Sequence, residues 1–180
     1  VLLKFATRVR SRADWLGTLV GVVIEPNDRI LLRVLIEQPR ASPLVHVGVP
    51  FGHLEAADAS QVVLSISPAE FKRLPVVDRD GGVQVRRRSP SARGRRGDEA
   101  TERLITARSR VTCRDGEVGT VSALQVDART GDLQAFTFAF GMPLTREVLV
   151  GFERVERVEN DGLELGIDMD DLAEFPTLRD

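Results

Sequence analysis

The sequence predicts a mainly β protein made of two small antiparallel β-barrels, each closed by a short C-terminal helix. Three observations predict it. The chain resembles itself at a shift of about one hundred residues, its apolar residues alternate with a period of two, and turn-forming residues interrupt those runs at short intervals.

The self-similarity comes first. At an offset of 102, Arg8, Val9, Arg12, Gly17, Thr18 and Leu31 meet Arg110, Val111, Arg114, Gly119, Thr120 and Leu133. At 101, after one deletion in a loop, Val47, Val49, Phe51, Glu55, Leu64, Ile66 and Pro75 meet Val148, Val150, Phe152, Glu156, Leu165, Ile167 and Pro176. The expected organisation is a first copy over 1–76, an arginine-rich flexible linker over 77–103 and a second copy over 104–180.

The alternation repeats with the identities. Val22 and Ile24 correspond to Leu124 and Val126, and Val34 and Ile36 to Phe136 and Phe138. Side chains two apart point to the same face of a strand, so each copy builds the same buried face. In the first copy the expected strands lie at about 18–24, 30–36, 45–50 and 62–66. The first hairpin loop is Glu25-Pro26-Asn27-Asp28-Arg29, matched by Asp127-Ala128-Arg129-Thr130-Gly131, where proline or glycine constrains the backbone.

Each copy then closes with a helix whose start is set by capping. Ser67 is the N-cap, Pro68 the first helical residue and Glu70 the reciprocal partner three residues on. In the second copy Asp168, Asp170 and Asp171 sit against the positive helix end, and Phe71, Leu74, Leu172 and Phe175 pack downwards. Copies of this size make small cores. Barrel closure removes sheet edges, and packing one copy on the other as a pseudo-twofold pair buries more surface.

Composition sets outer bounds. With 42% apolar and 29% charged residues the chain has ordinary globular composition. No apolar run approaches the roughly 20 residues of a membrane helix. The start at Val1 shows no leader pattern and reads as trimmed. The single cysteine, Cys113, allows no intrachain disulfide and fits a reducing, cytoplasmic setting. Charge is unevenly spread, at +2 over 1–76, +5 over 77–110 and −9 over 111–180.

Asp115-Gly116-Glu117-Val118-Gly119-Thr120-Val121, then Val126 to Gly131, Val148-Leu149-Val150 and the closing stretch from Leu163 to Pro176, together resemble a PRC-barrel domain. The first copy keeps Gly17 but has Asp14-Trp15-Leu16 where the pattern prefers Asp-Gly-Glu, and Arg29 where the turn glycine belongs. That family includes the cytoplasmic domain of the photosynthetic reaction-centre H subunit and the C-terminal domain of a ribosome-maturation factor. The resemblance implies a module that docks onto a larger assembly. Neither relative is matched as a whole protein, because the first carries a membrane helix and the second a different N-terminal domain.

No catalytic, cofactor-binding or metal-ligating residue is expected. His46 and His53 lie in a β-rich stretch without a cysteine to complete a zinc set, and read as surface or edge-strand residues. Cys113 beside Arg114 has no histidine in its own copy and reads as a structural thiol. Gly17 and Gly21 lack the following Gly-Lys-Ser/Thr of a phosphate loop and read as close-packing positions. The aspartates at 168–171 lack the longer loop and bidentate glutamate of a calcium hand. Phe136, Phe138 and Phe140 form a stripe that reads as core sooner than as a base-stacking platform.

The partner-binding candidates are Arg86, Arg87, Arg88, Arg93, Arg95 and Arg96 in the linker, with Pro39, Pro43 and Pro143 in two equivalent loops. The linker has three competing uses: a solvated tether, a clamp on the acidic second copy, or an arm for the phosphates of RNA or an anionic membrane surface. The expected function is a non-catalytic adaptor docking onto a protein complex or forming a homodimer. The alternatives are an RNA- or ribosome-associated factor and, by analogy alone, an accessory subunit of a membrane electron-transfer complex.

Overall fold

The structure, a computed structural model, describes residues 1–39, 45–77, 102–140, 146–159 and 162–178. Its first part contains β1 (Leu2–Lys4), β2 (Arg8–Arg10), β3 (Trp15–Glu25), β4 (Ile30–Glu37), β5 (His46–Pro50), β6 (Leu54–Ala57), β7 (Gln61–Leu64), the single turn α1 (Pro68–Phe71) and β8 (Val76–Val77). The second contains β9 (Arg103–Thr106), β10 (Arg110–Cys113), β11 (Gly116–Val126), β12 (Leu133–Phe140), β13 (Arg146–Gly151), β14 (Val155–Val158), β15 (Gly162–Leu165) and β16 (Thr177–Leu178). Short 3-10 helices occupy Phe51–His53, Phe152–Arg154 and Met169–Glu174.

The protein is therefore mainly β, as the alternation predicts. The four strands expected in the first part are present, and β3 and β4 run longer than anticipated. Sequence reading missed β1, β2, β6 and β8, which are short and carry too few alternating residues to register as a period.

The two sheets have the same strand order, β6-β7-β2-β3-β4-β5-β8 and β14-β15-β10-β11-β12-β13-β16. Neighbours are antiparallel except β2 with β7 and β10 with β15. The strands curl as a half-barrel. Among the described residues no pairing joins β6 to β8 or β14 to β16, so the expectation of closed barrels is met as far as curled sheets.

The main departure from the sequence picture lies in β1 and β9. β1 does not join its own sheet but pairs with β11, Leu3 facing Leu124, while β9 pairs with β3, Ile105 facing Val22. The same offset of 102 relates the two pairings, so the sheets exchange their first strands reciprocally. The crossing is abrupt: Phe5 N donates to Ser122 O at 3.0 Å and the next residue, Ala6, donates to Leu19 O at 2.8 Å. Ala6 takes a positive φ of 64° there, a conformation that costs a non-glycine residue about 1–2 kcal/mol. Gly21 admits β9, since a Cβ at that position would stand 2.9 Å from Ile105 O.

The exchange merges the interiors. Leu3, Val22, Ile105 and Leu124 belong to one buried apolar cluster that also holds Val34, Phe136, Phe138 and Phe152. Phe136 stacks on Phe138 at 5.8 Å and meets Phe152 edge-on at 6.1 Å. Phe136 and Phe138 are thus core, whereas Phe140 is only half-buried and lies under the Arg146 guanidinium, 5.5 Å from the ring centre.

The closing turns follow their caps. Ser67 Oγ accepts from Glu70 N at 3.2 Å and Glu70 Oε2 accepts from Ser67 N at 3.0 Å. In the second half the turn is 3-10, with Asp171 Oδ2 accepting from Asp168 N at 3.1 Å and Asp115 Oδ1 from Met169 N at 3.0 Å. Asp171 and Asp115 there thus accept from backbone N–H groups at the turn, as capping predicts.

Candidate functional site

The β3–β4 and β11–β12 hairpins meet where the two sheets adjoin. Leu31 N donates to Gly131 O and Leu133 N donates to Arg29 O, both at 2.9 Å, and Ile30 bridges Asp132. Each carbonyl must turn toward the opposite hairpin, which puts its residue in the left-handed region. Gly131 does so at φ 83° with no Cβ to obstruct it, whereas Arg29 does so at φ 55°. The departure visible in the sequence, arginine in place of the turn glycine, is therefore retained against about 1–2 kcal/mol of backbone strain.

Beside this contact lies a cleft of about 390 Å³. Arg29 from the hairpin, Arg103 from β9 and Arg157 from β14 line it together with Glu156, and the buried Phe152 and Val155 form its floor. The strand exchange creates this grouping, because β9 carries Arg103 across to β3 and so to the side of Arg29.

The three cations differ in how they are held. Arg157 Nη1 stands 3.8 Å from both Glu159 and Glu164, and is largely exposed, so these contacts are weak. Arg29 has no ion-pair partner among the described residues. Arg103 is half-buried, reaches only Glu102 O at a long 3.5 Å, and keeps a solvent-shielded Nε without an acceptor among the described residues. An unpaired donor of this kind costs about 1–3 kcal/mol. Glu156 has no ion pair among the described residues, whereas its counterpart Glu55 accepts two hydrogen bonds from Arg12, at 3.0 and 3.1 Å.

The other half supplies an internal comparison. Carried across by the offsets, Arg29, Arg103 and Arg157 fall on Gly131, Val1 and Ala56, while Phe152 and Glu156 fall on Phe51 and Glu55. The apolar floor and the carboxylate are shared. The three arginines belong to one side only.

Of the residues singled out in the sequence, Pro39 is exposed just beyond β4. Arg86, Arg87, Arg88, Arg93, Arg95, Arg96, Pro43 and Pro143 lie outside the described residues. Arg103, Glu156 and Arg157 escaped sequence reading, although aligning the halves and asking where only one carries arginine finds them.

His46 is not at the surface, contrary to expectation. β5 is flanked by β4 and β8, which buries the ring and sets Nε2 3.3 Å from Glu37 Oε2. Cys113 is buried, and burial, followed by the charges of Asp115, Asp168 and Asp171, pushes its thiol up to about 11. Arg114 does not activate it. The thiol stays protonated at neutral pH, so labelling by a thiol reagent at pH 8 is expected to be at least tenfold slower in the native protein than in urea. Equal rates in the two states would show an accessible thiolate.

No family model matches the chain, and no curated protein does. No helix among the described residues is long and apolar enough to cross a membrane.

Proposed function

We propose that the protein is a non-catalytic binding module that docks onto a larger protein assembly through the face bearing the junction cleft. On this reading its sheets are diverged copies of one PRC-barrel-like unit, and the arginine-rich segment between them is a tether in a cytoplasmic protein. The observation that carries the reading is the one-sided arginine cluster. Arg29 sits in a strained backbone position and Arg103 holds a buried donor with no acceptor among the described residues, while the matching place in the other half manages with Gly131, Val1 and Ala56. Features that weaken a fold without stabilising it mark binding sites more often than scaffolding.

Affinity capture from the native source tests this, with the double charge reversal Arg29→Glu/Arg157→Glu as the control. A partner held by the native protein after nuclease treatment and lost by the folded variant is the expected result. Equal capture by both proteins would remove the cleft from the interface. A second reading, an RNA- or ribosome-associated factor, draws on the six linker arginines. It requires binding that falls steeply with salt and disappears when those arginines are neutralised.

A further inference from the structure

We propose that the junction cleft is a phosphoryl site, built to take one phosphomonoester dianion. This deepens the docking reading and rests on it for the source of the group.

The lining itself carries three guanidinium groups and one carboxylate, an excess of two positive charges that Glu159 and Glu164 offset in part where they stand 3.8 Å from Arg157 Nη1. A phosphomonoester carries about −1.5 to −2 at neutral pH and three acceptor oxygens, a match in both charge and hydrogen-bonding capacity. A single carboxylate would leave the excess half compensated. Guanidinium is the side chain suited to this task, since its planar fork donates two parallel hydrogen bonds to one anion.

The unpaired Nε of Arg103 supplies the second line of argument. That Nε is shielded from water and has no acceptor among the described residues, so an anion meets it once the Arg103 side chain turns toward the cleft, and the cost of leaving it bare is then recovered on binding. Arg29 supplies the third. Its carbonyl must serve Leu133 whatever the side chain, so glycine would do the structural work alone, as Gly131 does for Leu31.

A nucleic-acid backbone fits less well. Its phosphodiesters carry one charge each and are read along a groove with aromatic platforms. The cleft's aromatic, Phe152, is buried in the floor with its ring engaged by Phe136, and offers no face for a base.

Thermal shift and calorimetric titration with inorganic phosphate, phosphoserine, a sugar monophosphate and a short RNA test the proposal on the full chain. Inorganic phosphate is expected to raise the unfolding midpoint by roughly 3–6 °C at about tenfold excess over its Kd. Arg103→Met, which keeps the aliphatic bulk, and Arg29→Gly, which copies the other half, are expected to lose that shift. The Arg29→Gly midpoint without phosphate should be no lower than the native one. Glu156→Gln is expected to tighten phosphate binding severalfold, and Arg129→Gln, at the turn of the other half, to leave it unchanged.

Tighter binding of phosphoserine than of the sugar phosphate assigns the group to a phosphorylated partner, and the reverse order assigns it to a free metabolite. Both support the site. A flat phosphate titration, a shift equal in native and Arg103→Met proteins, or RNA binding more strongly than every monoester overturns it. Arginine-dependent partner capture with a flat phosphate titration sinks the phosphoryl assignment alone, and phosphate binding without capture sinks the docking reading alone.

Discussion

Valine at position 17 is expected to leave little or no folded protein, and valine at position 119 to do the same. Both glycines lie on the long strand of their sheet, and in both a Cβ would be driven into a backbone carbonyl oxygen, that of Glu37 for Gly17 and that of Ala139 for Gly119. Those carbonyls belong to β4 and β12, which are hydrogen-bonded on both sides and cannot retreat without opening the sheet. Gly17 also sits at φ 154°, disfavoured for any side chain. Overpacking together with backbone strain amounts to about 4 kcal/mol or more, a large part of the roughly 5–15 kcal/mol that holds a typical domain together. Urea denaturation and soluble yield measure it. Gly52→Ala is the control, because nothing lies within 4 Å of its Cβ position, and it should change stability by no more than about 1 kcal/mol. A Gly17→Val protein with the native urea midpoint would mean that β3 and β4 do not approach so closely.

The second large effect concerns severing the chain. Residues 1–77 and 102–180, produced separately, are each expected to yield no folded monomer. Alone, the first fragment keeps β1 without β11 and exposes the edge of β3 from Gly21 to Ile24, where β9 belongs. The second fragment is left with the mirror-image defect. Leu3, Phe5 and Ile105 are all buried, and each contributes about 1.5–3 kcal/mol through burial. The first fragment forgoes two such terms and the second one, and each also uncovers the apolar residue its missing strand faced, Val22 or Leu124, a large part of a domain's roughly 5–15 kcal/mol. Mixing the two should restore a one-to-one complex with native circular dichroism, measured with light scattering on a sizing column. A fragment that meets a second copy of itself can repeat the exchange as a homodimer, which light scattering also detects. A monomeric fragment with a dispersed amide spectrum would refute the expectation.

Much of this architecture was readable from the residues, and the unreadable part has a physical cause. The period of two in Val22, Ile24, Val34 and Ile36 announces strands with one buried face, and the Ser67 to Glu70 box announces a helical start, because both signals are local. The exchange of β1 and β9 is not local. Leu2-Leu3-Lys4 carries too few residues for a period, and whether it pairs with β3 or with β11 depends on which edge lies within reach after the bend at Ala6. The site was half legible for the same reason. Arg29 stands out against the glycine of the other half, but its nearness to Arg103 follows from a strand crossing between sheets, and its nearness to Arg157 from the way β14 packs.

The hairpin contact between Arg29 and Gly131 bears on valency. A body with a true dyad offers every ligand two identical seats and so tends to link its targets into chains or clusters. Here the two sheets share one strand order while the side chains beside the hairpin contact differ, so the proposed seat is furnished on one side. On the proposed reading such a molecule takes one ligand per polypeptide, and so ends an assembly that a body with two equal seats would extend.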